Sequence, residues 1–349
     1  MHQGRDRARP QGASRPRRER PRRVRQDRRA GEGRAAELSG RRQVFLDQAE
    51  SAAGRSPLYE ELWRSLADEP LVDAIVEEYS WDTPLRVSGG LHYLVLGGEA
   101  SWDAVPEALA GHREFLRRFV AEQPVQTNEV QRCWMLLPCF LEAARRAGAE
   151  TLDLIELGPS AGLNLAWDRY AYGYEQGAWG PAGAPFELRG EERRPVPAGL
   201  FRLTPRVRGR VGIDRSPIDV TSDESARLLR SFVWPDQHWR LELLGSAIEA
   251  VRRDPPRLLR GDFVELLPGA LAGRRSDGLT VVFETAVLGY LDGAGRRRVY
   301  DALAAAGADG PLAFVSNPHD GMTLQLWPGG GREEVARADF HGAWLEWLR

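Results

Sequence analysis

The chain has 349 residues, 42% of them hydrophobic, with a formal net charge of −2, which is enough apolar content for a substantial core in one large domain or two. No apolar run approaches the roughly 18 residues of a membrane helix, and Cys133 and Cys139 are the only cysteines. A bilayer-spanning segment, a disulfide framework and a cysteine-rich zinc site are therefore excluded, and a soluble protein of a reducing cytoplasm fits.

Residues 1–34 hold 13 Arg against 4 acids, a net of about +9, which leaves about −11 on the rest. Every basic residue in the chain is Arg. With no apolar periodicity, residues 1–36 are expected to form a disordered tail. The tail also lacks the apolar core of an export signal. A nucleic-acid reader keeps its positive charge on the folded surface, so the acidic body argues against that partner.

From 37 to 149 the pattern is helical throughout. In "SPLYEELWRSLA", Ser56 caps, Pro57 suits the first helical position, and Leu58, Leu62 and Leu66 share a face. In "QTNEVQRCWMLLPCFLEAARRAG", Val130, Cys133, Trp134, Leu137 and Leu141 form a core stripe, and Pro138 is expected to kink the helix.

Beyond residue 150 the texture changes to short apolar strands, "TLDLIEL", "RGRVGID", "PRLLRGD", "LTVVFET" and "PLAFVSN". Helical patterns near 161–171, 222–233, 238–253 and 294–306 separate them. This alternation predicts an α/β domain over 150–349, a parallel sheet with helices on both faces behind an all-helical N-terminal region. The Gly- and Pro-rich stretch at about 172–205 reads as an inserted hairpin or flap.

The stretch "ELGPSAGLNLAWDRY" fits two templates. As G-x-S-x-G it is a nucleophile elbow exposing Ser160, with a triad in chain order supplied by Asp292 and His319 or His341, or by Asp320 and His341. The strands that precede an elbow are missing upstream. As a strand end followed by a glycine loop, Glu156, Gly158, Ser160 and Gly162 surround a nucleotide-like cofactor, and the next helix turns its free N–H groups to a carboxylate or phosphate. Asp214 then ends the second strand, placed for ribose hydroxyls. Asp262 ends the third, with Phe263 as a stacking wall beside the base. Three strand ends in order favour this second template.

At these residues the chain resembles class I S-adenosylmethionine-dependent methyltransferases. Over most of its length after about residue 40 it is similar to a bacterial family of unknown function, by "QTNEVQR", "ELGPSAGLNLAWDRY", "GIDRSPIDV", "SFVWPDQ", "VVFETAVLGYL" and "HGAWLEW". The methyltransferase resemblance implies a Rossmann-like sheet, S-adenosylmethionine as cofactor and a small molecule as methyl acceptor. It implies Glu156, Gly158 and Gly162 at the methionine end, Asp214 at the ribose and Asp262 at the adenine. Where that bacterial family is expected to carry a histidine before Thr285, this chain has Glu284.

Glu284, Asn317 and His319, at the ends of the fourth and fifth strands, are the candidates for chemistry on the acceptor. Asn128, Glu129 and Arg132, opening the last helix of the N-terminal region, are placed to contact substrate from a lid; helix capping is their alternative role. His341 reads as a packed histidine. No His or Cys pair has metal-ligand spacing. A ligand-binding or regulatory protein that kept the fold without the reaction is the alternative function.

Overall fold

Helices come first in the computed structural model, which describes residues 40–126, 129–317 and 321–349. They are α1 over 40–52, α2 over Pro57–Leu66, α3 over Thr83–Leu96, α4 over Val105–Gly111, α5 over Arg113–Glu122 and α6 over Arg132–Ala147. The predicted start of α2 is present: Ser56 accepts from the Tyr59 N–H and Pro57 opens the helix. Helices α1 to α5 bury a core of their own, including Phe45, Tyr59, Trp63, Leu91 and Leu116.

Helix α6 is different. From Arg132 to Ala144 every side chain is buried, far more than one stripe, because α6 is sandwiched between the sheet and the segments around Trp167 and Tyr174. It runs unbroken through Pro138. Proline lacks the N–H that would bond the Trp134 carbonyl, and the Tyr174 hydroxyl donates to that carbonyl instead. This replacement donor keeps α6 continuous.

The second half is built on one mostly parallel sheet. Its strands are β1 (Thr151–Leu157), β5 (Glu191–Arg194), β6 (Arg206–Asp214), β7 (Arg257–Arg260), β8 (Leu279–Thr285), β9 (Leu312–Asn317), β10 (Gly321–Trp327), β11 (Arg332–Ala338) and β12 (Trp344–Trp347). Their order across the sheet is β5-β12-β11-β10-β9-β8-β1-β6-β7. The run from β9 to β7 is parallel, while β10, β11 and β12 add an antiparallel meander. Connections leave β1 toward β6 and β8 toward β9. The chain therefore switches direction between β1 and β8.

Side chains alternate across the central strands. Leu152 and Leu154 of β1, Val281 and Phe283 of β8, and Ala313 and Val315 of β9 face α6, together with α7 (Asp223–Ser231) and α8 (His238–Arg252). Ile155, Val282 and Phe314 face the opposite layer of α9 (Phe263–Ala272) and α10 (Gly293–Ala308). All of β8 is buried.

Two local expectations change. The segment after the glycine loop, predicted as a helix over 161–171, is a short 3-10 turn at Asn164–Arg169 with non-helical dihedrals at Ala166. Its side chains Leu165 and Trp167 are taken into the core, which leaves no room for a regular amphipathic turn. The stretch read as a hairpin or flap contains a hairpin of β2 (Ala171–Tyr174) and β3 (Gly177–Trp179) and goes beyond it: β4 (Glu187–Leu188) adds to β2 in a small sheet, and β5 joins the edge of the main sheet.

The "SFVWPDQ" loop after α7 ties the two halves together. Trp234 lies 5.9 Å from both Tyr59 and Trp63. Asp236 accepts from Ser56 Oγ at 2.7 Å and from the Leu58 N–H at 3.2 Å, a second cap on α2. Asp236→Ala should destabilise the protein by about 1–2 kcal/mol, as loss of a shared cap does. Urea unfolding measures it, and an unchanged midpoint would count against this tie.

Candidate functional site

The strand order reverses between β1 and β8, the place where open α/β sheets form a crevice at the carboxyl ends of the strands. Gly158 (φ 69°) and Gly162 (φ 71°) hold the left-handed conformations that the first loop requires. Protein side chains fill the space their own would need. A Cβ on Gly158 would lie 2.4 Å from Val287 Cγ1, and one on Gly162 2.6 Å from Pro256 Cγ. The glycines are thus demanded by packing inside the protein, and a valine at 158 would collide with Val287 and unsettle the loop itself.

Among the described residues, the non-glycine residues of positive φ are Ser160 at 52° and Ala286 at 86°. They stand just past the ends of β1 and β8, on the two sides of the switch point. Ser160 is held on three sides: its N–H donates to Asp214 Oδ2 at 2.8 Å, its carbonyl accepts from the Ile218 N–H at 3.1 Å, and its hydroxyl donates to Gln126 Oε1. A neutral amide cannot take a proton from a nucleophile, so Ser160 lacks the base an elbow needs among these partners.

Asp214 ends β6, the position the sequence pattern gave it. Its Oδ1 accepts from the Ser216 N–H at 2.8 Å and its Oδ2 from Ser160, so it locks the glycine loop to its own turn while each oxygen retains acceptor capacity. Asp262 caps α9 through the Val264 N–H and pairs with Arg215 at 2.6 Å. Phe263, read as a stacking wall, is largely buried. It opens the apolar face of α9, in step with Leu267 and Leu271, and is buried in that layer.

Glu284, although at the end of β8, turns to the α9 and α10 side, where it accepts from Ser316 Oγ and from the Leu288 N–H at 3.3 Å. Burial pushes its carboxyl up from the usual range, against those hydrogen bonds. Glu156, Thr285 and Asn317 occupy the other face, toward α6. The neighbouring strand ends therefore divide their acids between two faces.

On the α6 face stands Arg132, 4% exposed. Its Nε donates to the Phe340 carbonyl at 2.9 Å, and its Nη1 to the Thr285 carbonyl and hydroxyl at 3.2 and 3.1 Å. The Phe340 ring lies 4.3 Å from the guanidinium. Burial works against its charge, and Glu129, Glu156, Tyr290 and Glu284 oppose that effect. Glu156 accepts from Asn164 Nδ2 at 3.4 Å, and burial, outweighing that bond and Arg132, raises its carboxyl to about 8.

Arg132 Nη2, Glu156 Oε2, Asn317 Oδ1 and His341 Nδ1 are buried polar atoms with no hydrogen-bond partner among the described residues. All four belong to segments meeting at this end of the sheet. Orphaned buried polar groups are rare in folded proteins and call for a specific cause. Glu129, expected on a lid surface, is buried and pairs with Arg240 of α8 at 2.5 Å. Asn128 and His319 lie outside the described residues. Phe340, Arg240 and Gln126 were not anticipated; aromatic residues around "HGAWLEW" were the only signal for the first of them.

Among the described residues, no three His, Cys, Asp or Glu side chains converge as metal ligands, and no helix is long and apolar enough to cross a membrane. A family model described as "Uncharacterized protein conserved in bacteria (DUF2332)" matches residues 42–347. The chain belongs to this family. The match spans both the helical half and the sheet of this DUF2332 protein, so the crevice, the segment over it and the C-terminal meander are all inside it. No curated protein matches the chain.

The raised Glu156 carboxyl carries a stability consequence. In the unfolded chain it ionises near its ordinary value of about 4.5, whereas in the fold it stays protonated to about 8. Its contribution is thus fully present below about 4.5 and lost as pH rises through 8. Glu156→Gln should raise the thermal midpoint at pH 8 by about 2–5 °C and leave it unchanged at pH 4. Equal midpoints at both pH values would show that Glu156 is not held neutral.

Proposed function

We propose that this protein binds S-adenosylmethionine in the crevice of a Rossmann-like sheet and methylates a small molecule. The observation that carries the reading is the pair of orphans at the ends of β1 and α6, Glu156 Oε2 and Arg132 Nη2. A buried carboxylate oxygen and a buried guanidinium N–H, unpaired with each other and on one face, match the ammonium and carboxylate of an α-amino acid. Supporting it are the strand order around the switch point, the acid ending β6 and the strained residues Ser160 and Ala286 beside the crevice.

Bound S-adenosylmethionine supplies an electrophilic methyl group on a sulfonium. The chain's own residues bind and orient. Because a 3-10 turn follows the glycine loop, that loop offers no regular helix N-terminus to an anion; Arg132 takes that role in this reading. Asp214, already holding the loop, has acceptor capacity left for ribose hydroxyls. Gln126 on Ser160, and Arg132 on Thr285, tie the described residues on either side of the switch point to the helical half, and that fixes the frame in which the reactants are held.

Calorimetry with S-adenosylmethionine tests the reading. Because the ammonium favours ionised Glu156, affinity should rise with pH up to about 8 and level off above it, by as much as about tenfold per unit. Glu156→Gln should weaken binding by about 1–3 kcal/mol and abolish the pH dependence. No binding at millimolar ligand and pH 8 would overturn the proposal. Ser160→Ala should change affinity by only about 0.5–1.5 kcal/mol. A serine-directed fluorophosphonate should leave Ser160 unlabelled; stoichiometric labelling lost in Ser160→Ala would replace this reading with a hydrolase.

A further inference from the structure

Beside the crevice stands an acid–imidazole pair with no place yet in the binding scheme. Glu129, 4% exposed, has its Oε2 2.5 Å from Arg240 Nη2 and 3.4 Å from His341 Nδ1. The approach to Nδ1 is short enough for an ion pair but is not aligned as a hydrogen bond, and Nδ1 is buried without another partner among the described residues. The rest of the imidazole reaches outward, with 43% of the side chain exposed.

The loop carrying His341 is pinned on both sides of the ring. Asp339 Oδ2 accepts from the N–H groups of His341 at 2.7 Å and Ala343 at 3.2 Å. Gln131 Nε2 donates to the Gly342 carbonyl at 3.1 Å, and Arg132 Nε to that of Phe340 at 2.9 Å. The Phe340 ring is edge-on to the imidazole at 5.1 Å and also covers the Arg132 guanidinium. The imidazole is thus one residue along the chain from the ring that covers Arg132.

A carboxylate beside Nδ1 favours the tautomer with the proton on Nδ1 and the lone pair on Nε2, and such contacts are often long until substrate is bound. We infer that His341, oriented by Glu129, is the general base of this site and that the methyl acceptor is a protic nucleophile, a hydroxyl or an amine. The inference rests on the methyl-donor reading. Nε2 takes the proton from the acceptor's O–H or N–H while that atom's lone pair forms the bond to the methyl carbon. The carbon–sulfur pair returns to sulfur, leaving a neutral thioether, and the imidazolium beside Glu129 later gives its proton to water.

Nitrogen-15 NMR of the histidine-labelled full chain at pH about 8, with His341→Asn to assign the signals, reads the tautomer directly. The wild type should show protonated Nδ1, and Glu129→Ala should revert to the Nε2–H form that free imidazole prefers. In the same samples diethyl pyrocarbonate acylates Nε2, and saturating S-adenosylhomocysteine should slow the modification of His341 at least about tenfold, as a covered nitrogen requires, while His112 is unaffected. Calorimetry reports whether that ligand is bound. The Nε2–H tautomer in the wild type, or full reactivity with ligand bound, would overturn the role of His341 and leave the donor reading standing. Failure of the ligand to bind would overturn the donor reading and this inference with it.

Discussion

A buried cation organises the carboxyl end of this sheet. Taking a guanidinium out of water costs several kcal/mol unless its N–H groups find acceptors, and those groups are fixed in one plane. Arg132 meets the requirement for Nε and Nη1 with acceptors from two distant segments, the end of β8 and the turn between β11 and β12, while Nη2 has no acceptor among the described residues. Its demand for acceptors therefore sets how the last helix of the N-terminal region, the central strand and the C-terminal meander sit relative to one another. Arg240 holds Glu129 in the same way, so charges of alternate sign run from α8 through the start of α6 toward Glu156.

The crevice is rigid in its frame and strained at its rim. Positive φ at a non-glycine residue costs about 1–3 kcal/mol and persists only where the surroundings over-determine it. At Ser160 they do: Asp214, Ile218 and Gln126 each hold one group of the residue. Because Gln126 comes from the segment leading into α6, the helical half is coupled to the glycine loop at the same point. The "SFVWPDQ" loop makes a second coupling on the far side, where Asp236 caps α2. Any motion of the helical half over the crevice must respect both.

Much of the scaffold was legible in the residues. Five apolar runs became β1, β6, β7, β8 and β9, and the helical patterns near 222–233, 238–253 and 294–306 became α7, α8 and α10. These are long or strongly periodic segments, where burial on one or both faces leaves a clear mark. Ser56 with Pro57 marked the start of α2 for an equally local reason. Helix α9 and the meander β10 to β12 were not anticipated: α9 is apolar around much of its circumference and carries Pro268 inside it, and β11 opens on three exposed charged residues, Arg332, Glu333 and Glu334. The glycine loop looked like the opening of a helix, but core packing of Leu165 and Trp167 shortened it to a 3-10 turn.

The sequence by itself determined the class of the fold, the order of its parallel strands along the chain and the loop where a left-handed backbone is needed, because each depends on near neighbours. Which acids share a face was decided only by the tertiary structure. Glu156 and Glu284 end adjacent strands, but one residue of register turns one toward α6 and the other toward α10. Phe263 packs into the α9 layer because it opens that helix on the same face as Leu267 and Leu271. His341 and Glu129, more than two hundred positions apart, meet through a loop docked on the start of α6, and no local pattern records a contact of that separation.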